Sequence, residues 1–104
     1  EIRTHYDYEE LLNKDSEIDI RYTSYWEMHD DEFLKNIIQD TVWPGHAGEY
    51  ETSVALYMFP DLVDKEAIKI DPLGTSTNAS KEKGEQIYND IINQYSKIIK
   101  EMIY

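Results

Sequence analysis

The clearest hydrophobic pattern of the chain lies near its C-terminus. Between residues 81 and 104 the apolar side chains recur every three or four residues: Ile87, Ile91, Tyr95, Ile98 and Met102. This interval brings them to one side of an α-helix, so the pattern predicts a long amphipathic final helix. Ser80 directly precedes the pattern, and its hydroxyl is a favourable N-cap for that helix.

Three further helices are predicted upstream. The first covers residues 7–14 and begins at Asp7, and the second covers residues 31–39. The apolar face of the second helix consists of Phe33, Leu34, Ile37 and Ile38. The third covers residues 49–59 and ends at Pro60, because proline cannot continue the backbone hydrogen bonding of a helix. We expect the buried side of the third helix to comprise Val54, Ala55, Met58 and Leu62.

Two segments have the alternating pattern of β-strands. Residues 18–25 are rich in β-branched and aromatic types, and residues 66–71 form a shorter candidate. Residues 43–48 and 71–79 are predicted turns, since Pro and Gly interrupt them. The resulting order of helix, strand, helix, helix, strand and helix is an α/β pattern. Because two strands alone are marginally stable, we expect the sheet to contain further strands from outside this sequence.

Composition narrows the possible functions. The 104 residues include 22 acidic and 10 basic side chains, giving a net charge of -12, and no cysteine. This negative charge would repel a phosphate backbone, which argues against nucleic acid as a partner. No apolar run approaches the length of a membrane span, and the lack of cysteine fits a reducing, cytoplasmic compartment. Because the chain begins at Glu1 rather than Met, we expect it to be a processed or excised part of something longer.

The densest acidic patch surrounds a histidine. Glu27, Asp30, Asp31 and Glu32 lie close in sequence to His29. A carboxylate cluster of this kind can bind a hard cation. The interpretation that we favour is a solvated loop followed by the acidic first turn of a helix, where the helix dipole stabilises negative charge.

The segment with the most chemical content places His46 on a glycine-flanked turn before the third helix. Gly45, Ala47 and Gly48 are small enough for a substrate to approach the backbone, which makes them candidate substrate-binding residues. The Glu51 carboxylate can reach back to the His46 imidazole, fix its tautomer and raise its basicity for acid–base catalysis. The alternative is structural, because acidic and hydroxyl side chains at a helix start commonly act as capping groups.

The same segment resembles the signature of the creatininase family of metal-dependent amidohydrolases. The first match comprises His46-Ala47-Gly48-Glu49-Tyr50-Glu51-Thr52-Ser53 followed by Phe59-Pro60-Asp61-Leu62-Val63. The second comprises Asp71-Pro72 followed by Ala79-Ser80-Lys81-Glu82-Lys83-Gly84-Glu85, which leads into the last helix. The third is Tyr25-Trp26 at the end of the first strand. The three matches occur in the family's order and together cover most of residues 20–103.

The resemblance implies a three-layer α/β fold with a central, mainly parallel sheet, in which residues 1–104 form the C-terminal half of one domain. It also implies hydrolysis of a non-peptide C–N amide bond, as in a cyclic amide or a formamide, by metal-activated water. His46 then corresponds to the catalytic histidine and Glu51 to the glutamate beside it. Trp26 and Trp43 correspond to tryptophans that close over the substrate.

The metal ligands that the resemblance implies fall outside this sequence. Glu27-Met28-His29 spells the family's Glu-x-His, but it follows the Tyr-Trp pair and so has the wrong place in the order. We therefore expect no metal ligand on this chain. A separate or cleaved N-terminal half is expected to hold two divalent ions, zinc or manganese, and complete units are expected to form homo-oligomers. The alternative is a non-catalytic creatininase-like subunit that packs through its helices.

Overall fold

The computed structural model describes residues 19–39, 45–71 and 76–103. Helical residues make up 67% of this part, which contains no β-strand. Its α-helices are α1 (Asp31–Ile37), α2 (Glu49–Met58), α3 (Lys65–Lys69) and α4 (Lys81–Ile103). A 3₁₀ helix, Tyr25–Glu27, precedes α1, and another, Pro60–Leu62, follows α2.

The predicted α/β fold with a central, mainly parallel sheet is wrong for the described residues, because neither predicted strand forms. Residues 19–24, most of the first predicted strand, have no regular secondary structure, and the chain then enters a 3₁₀ helix. The Glu27 carboxylate accepts a hydrogen bond from the Ser24 backbone N–H at 3.3 Å, which closes this turn. An extended segment becomes a strand only when a neighbour supplies its backbone partners, and the described chain contains no such neighbour.

The second predicted strand, residues 66–71, falls largely within helix α3. Asp64 caps this helix, since its carboxylate accepts hydrogen bonds from the backbone N–H groups of Glu66 and Ala67 at 3.1 and 3.2 Å. Lys69 and Glu66 also pair through their side chains, one turn apart, at 3.1 Å. The cap and the helix-favouring residues outweigh the alternation on which the strand prediction rested.

Helices α1, α2 and α4 form close to their predicted bounds. The chain leaves α2 at Phe59, directly before Pro60, as the proline predicts. The Ser80 hydroxyl accepts a hydrogen bond from the Lys83 backbone N–H at 3.1 Å, which confirms Ser80 as the cap of α4. The predicted helix over residues 7–14 lies outside the described part of the chain.

The centre of the described fold is the crossing of α2 and α4. Gly84 lies directly against the α2 backbone: a Cβ atom built on it would be 2.6 Å from the Ser53 carbonyl carbon, so the approach requires glycine. Ile87, almost one turn further along α4, is fully buried. The rings of Tyr57 and Tyr88 lie 5.6 Å apart across the same crossing. These contacts fix the position of α2, whose N-terminus carries the candidate site.

The buried side of α2 differs from the prediction. Glu49, Tyr50 and Ser53 are the buried residues of this helix, whereas Met58 is 53% exposed and Leu62, just beyond the helix, is 84% exposed. Polar side chains can be buried at this crossing because each of the three hydrogen-bonds to another segment of the chain. The spacing of apolar residues therefore predicted the helix correctly but assigned its buried face wrongly.

Candidate functional site

The turn that carries His46 has an unusual backbone. Gly45 and Ala47 both have positive φ angles, of 72° and 51°. The second of these is uncommon for a residue with a side chain, and such conformations persist only where neighbouring contacts hold them. Those contacts come from the first turn of α2. The Ala47 N–H donates to the Glu51 carboxylate at 2.6 Å, and the Thr52 hydroxyl donates to the Ala47 carbonyl at 3.2 Å.

His46 lies at the tip of this turn and is almost wholly accessible, with 98% of its side chain exposed. Its Nδ1 atom is 3.7 Å from Oε2 of Glu51, which is an ion-pair distance and too long for a hydrogen bond. The carboxylate is instead bonded to the turn backbone. The structure thus gives Glu51 a structural role, in which it holds the turn before α2, with the imidazole close by.

A small pocket of about 90 Å³ adjoins this turn. It is lined by Tyr25, Trp26, Gly45, Tyr50 and Glu51. Three of these residues were predicted from the sequence as site residues, and two tyrosines complete the wall. The pocket therefore brings the 3₁₀ helix, the turn before α2 and the first turn of α2 to one place.

The other predicted substrate-binding residues take different positions. Gly48 is the N-cap residue of α2 and is buried, and Ala47 is exposed on the turn; neither lines the pocket. Trp43 lies outside the described residues. The part of the predicted site that the structure brings together is therefore the group formed by Trp26, Gly45 and Glu51.

A buried chain of hydrogen bonds stands behind the pocket. Nε2 of His29 is 2.6 Å from the Tyr50 hydroxyl, and Nδ1 is 2.6 Å from Oδ2 of Asp90 on α4. A carboxylate can only accept, so Nδ1–H of His29 donates to Asp90, while Nε2 and the Tyr50 hydroxyl share the second hydrogen bond. The imidazole side chain is fully buried and stacks on Phe33, with ring centroids 5.1 Å apart. This arrangement fixes Tyr50, and hence one wall of the pocket.

Sequence reasoning placed His29 with the neighbouring carboxylates and missed its actual partners. Tyr50 and Asp90 follow it by 21 and 61 residues in the chain, so no local spacing connects them. One signal was present: Asp90 lies three residues after Ile87, on or near the apolar side of the final helix. A carboxylate at such a position requires a buried partner, and a histidine can supply it.

The protonation of Tyr50 follows from its surroundings. Burial raises the pKa of this phenol above its ordinary value, and the nearby Tyr25 and Asp90 raise it further. Tyr50 therefore keeps its proton at neutral pH.

A second buried contact joins the two longest sequence matches. The Lys83 ammonium donates to the Glu49 carboxylate at 2.6 Å and to the Asn78 carbonyl at 2.7 Å, and the Glu49 side chain is fully buried. The Ser53 hydroxyl accepts from the Ser80 backbone N–H at 3.1 Å, which satisfies one donor at the start of α4. The segment after His46 and the segment before α4 therefore form one packed unit.

The acidic patch is solvated, as the favoured interpretation predicted. Asp30 is the N-cap residue of α1, while Asp31 and Glu32 lie in its first turn, and all three are exposed. Within the described ranges, no three His, Asp or Glu side chains come together in a way that could hold a metal ion. The metals that the resemblance implies thus find no fitting ligand set in these residues. Nor does any helix in the described part of the chain combine the length and apolar character needed to cross a membrane.

Comparison with known proteins adds no relative to this picture. The chain matches no family model, no curated protein and no solved structure.

Proposed function

We propose that this chain is one part of a metal-dependent amidohydrolase that cleaves a non-peptide C–N amide bond in a small molecule. The observation that supports this most directly is the placement of His46. The accessible His46 imidazole does not line the aromatic pocket, but it follows Gly45 and lies 3.7 Å from the Glu51 carboxylate, and both of these residues do.

In this proposal His46 delivers the proton to the leaving nitrogen. An amide nitrogen leaves poorly unless it is protonated, so a positioned general acid contributes about 10²–10⁴-fold to the rate. Glu51 acts mainly as a positioning residue, because its carboxylate bonds to the Ala47 N–H and so orients the turn. Trp26, on the pocket wall, would cover the substrate from the other side.

The metals belong to another chain in this proposal. The ions that the resemblance implies would activate the attacking water, and we assign their ligands to an N-terminal partner, since the described residues offer no ligand cluster. Together the two chains would form the complete unit, itself a homo-oligomer in the cytoplasm. The acidic surface disfavours a strongly anionic substrate.

The test is a single substitution in the assembled protein. The chain is purified with its native partner and assayed against cyclic amides and formamides, and His46→Ala is compared with the unsubstituted complex. We expect His46→Ala to lower turnover by at least about 100-fold while the metal content measured by elemental analysis stays unchanged. Tyr22→Phe, at an exposed position away from the pocket, is the control. Retained turnover, or a loss explained by metal release, would refute the role of His46.

The second candidate function is a non-catalytic subunit that packs through its helices. The observation in its favour is the set of exposed apolar residues on the second half of α4: Ile92 (47%), Ile99 (52%), Met102 (39%) and Ile103 (68%). Exposed apolar side chains on one helix are typical of a surface that contacts another protein. If the complex holds together but shows no turnover and no fluorescence response of Trp26 and Trp43 to amide substrates, this candidate replaces the enzyme.

A further inference from the structure

We propose that the pocket beside His46 binds an organic ammonium ion. This inference extends the proposed function and rests on it in one respect: the ammonium group is taken to be part of the amide substrate. The binding itself requires no catalysis. The argument uses the lining of the pocket, its charge and its rigidity.

The lining is mostly aromatic. The rings of Tyr25 and Trp26 meet edge to face, with centroids 5.1 Å apart and planes at 81°. The ring of Tyr50 is nearly parallel to that of Tyr25, at 16° and 6.3 Å. Three rings around one small space therefore present both faces and edges to an occupant. A cation held over such rings within about 6 Å is attracted by their quadrupoles, most strongly by that of tryptophan.

The charge of the pocket also favours a cation. Glu51 is the charged residue of the lining, and no Lys or Arg of the described chain lines it. The hydrogen bond from the Ala47 N–H at 2.6 Å keeps the Glu51 carboxylate at this wall. The whole chain carries a net charge of -12, so cations are concentrated near its surface. Aromatic walls recognise quaternary and alkyl ammonium groups, and a carboxylate beside them adds Coulombic attraction.

Size and rigidity limit the ligand. The pocket has a volume of about 90 Å³, enough for several water molecules. This suits a compact head group such as trimethylammonium rather than a fused ring system. Tyr50 is 2% exposed and its hydroxyl is bonded to the buried His29 imidazole, so this wall is already ordered before a ligand enters. Preorganisation of this kind lowers the entropic cost of binding.

The experiment compares two probes of equal shape. Choline carries a trimethylammonium group, and 3,3-dimethylbutan-1-ol carries a neutral tert-butyl group in its place. Each gives a single methyl resonance, so saturation-transfer NMR titrations with the purified assembly report both dissociation constants in the same way. We expect choline to bind about tenfold more tightly than the neutral alcohol at low salt.

Two variants locate the binding. Trp26→Leu should weaken choline binding about tenfold, while Trp26→Phe should restore part of it, because phenylalanine supplies a weaker ring. Glu51→Gln keeps an acceptor for the Ala47 N–H and removes the charge, so it should reduce the preference for choline over the alcohol several-fold. Tyr22→Leu is the matched control, since Tyr22 is 60% exposed and lies outside the pocket. Its affinity for choline should equal that of the unsubstituted chain.

The outcomes separate this inference from the proposed function. Equal affinity for the two probes, no binding of choline, or binding that survives Trp26→Leu would each overturn the ammonium site. Amide turnover that choline does not inhibit would overturn it as the substrate subsite, leaving the enzyme proposal intact. Selective choline binding without turnover on any amide would support the ammonium site and remove the enzyme proposal.

Discussion

Replacing Gly84 with alanine should destabilise the fold, although alanine is the better helix former. In a helix without neighbours the change would stabilise by about 1 kcal/mol. In α4 the added Cβ would lie 2.6 Å from the Ser53 carbonyl carbon and 2.8 Å from Cβ of Tyr57. The added Cβ would also meet the Ser53 carbonyl oxygen. Both Ser53 atoms belong to the α2 backbone, which no rotamer change can move. Helix α2 must therefore shift away from α4.

The size of the effect follows from what that shift disturbs. Overpacking of a close contact costs about 1–3 kcal/mol. The movement also stretches the bond from the Ser80 N–H to the Ser53 hydroxyl and the Lys83 to Glu49 pair, whose lengths are now 3.1 and 2.6 Å. A weakened hydrogen bond adds about 1 kcal/mol. After the gain in helix propensity, the net loss is about 2 kcal/mol, or about 10 °C in melting temperature for a domain of this size.

Circular dichroism at 222 nm, followed during heating and during urea titration, measures this loss. The control is Asn93→Ala, at an exposed position of the same helix, where only propensity changes. We expect the control to raise the melting temperature slightly and Gly84→Ala to lower it. If both substitutions raise it, α2 does not approach α4 as closely as the structure shows.

Two further stability predictions concern the buried polar contacts. Lys83→Met removes the cation that offsets the buried Glu49 charge, so urea unfolding should show a loss of about 3 kcal/mol. The double variant with Glu49→Gln should recover most of it, and failure to recover would mean that the pair is not coupled. The second prediction concerns pH. Because the folded state raises the pKa of Tyr50, it retains a proton that the unfolded chain releases above about pH 10. Stability should thus hold below that pH and then fall by up to about 1.4 kcal/mol per pH unit. Tyr50→Phe should abolish this slope, whereas Tyr22→Phe should keep it.

The helices could be predicted because their signals are local. Ser80 and Pro60 mark a start and an end through groups within a few residues of the helix terminus. The apolar repeat of α4, from Ile87 to Met102, spans about four turns, which is long enough to distinguish a helix from a strand. The grouping of Trp26 with the turn around His46 came instead from the resemblance to the creatininase signature.

Two predictions failed for different reasons: a local helix cap replaces the strand predicted at residues 66–71, whereas the buried face of α2 depends on distant partners. In residues 66–71 two isoleucines, Ile68 and Ile70, alternate with charged residues as they would in a strand. The Asp64 cap nevertheless makes the local backbone helical. From the sequence alone, polar residues such as Glu49 and Ser53 are expected to be exposed. They are buried because Lys83 and Ser80 supply their hydrogen-bond partners. A polar residue becomes a buried residue only through its partner, and the partner is more than 25 residues away in each case.

Because the apolar core is small, some substitutions at the site change both the shape of the pocket and the stability of the fold. Tyr50 and Ile87 are the fully buried apolar residues of the described chain, so directed polar bonds carry much of the orientation of α2. Polar contacts of this kind specify an arrangement more than they add stability. Substituting Tyr50 would therefore disturb the pocket and the fold together, and a loss of binding would have two explanations. Trp26 and Glu51 line the pocket from positions 39% exposed, where a substitution changes the ligand contacts with little effect on the crossing of α2 and α4.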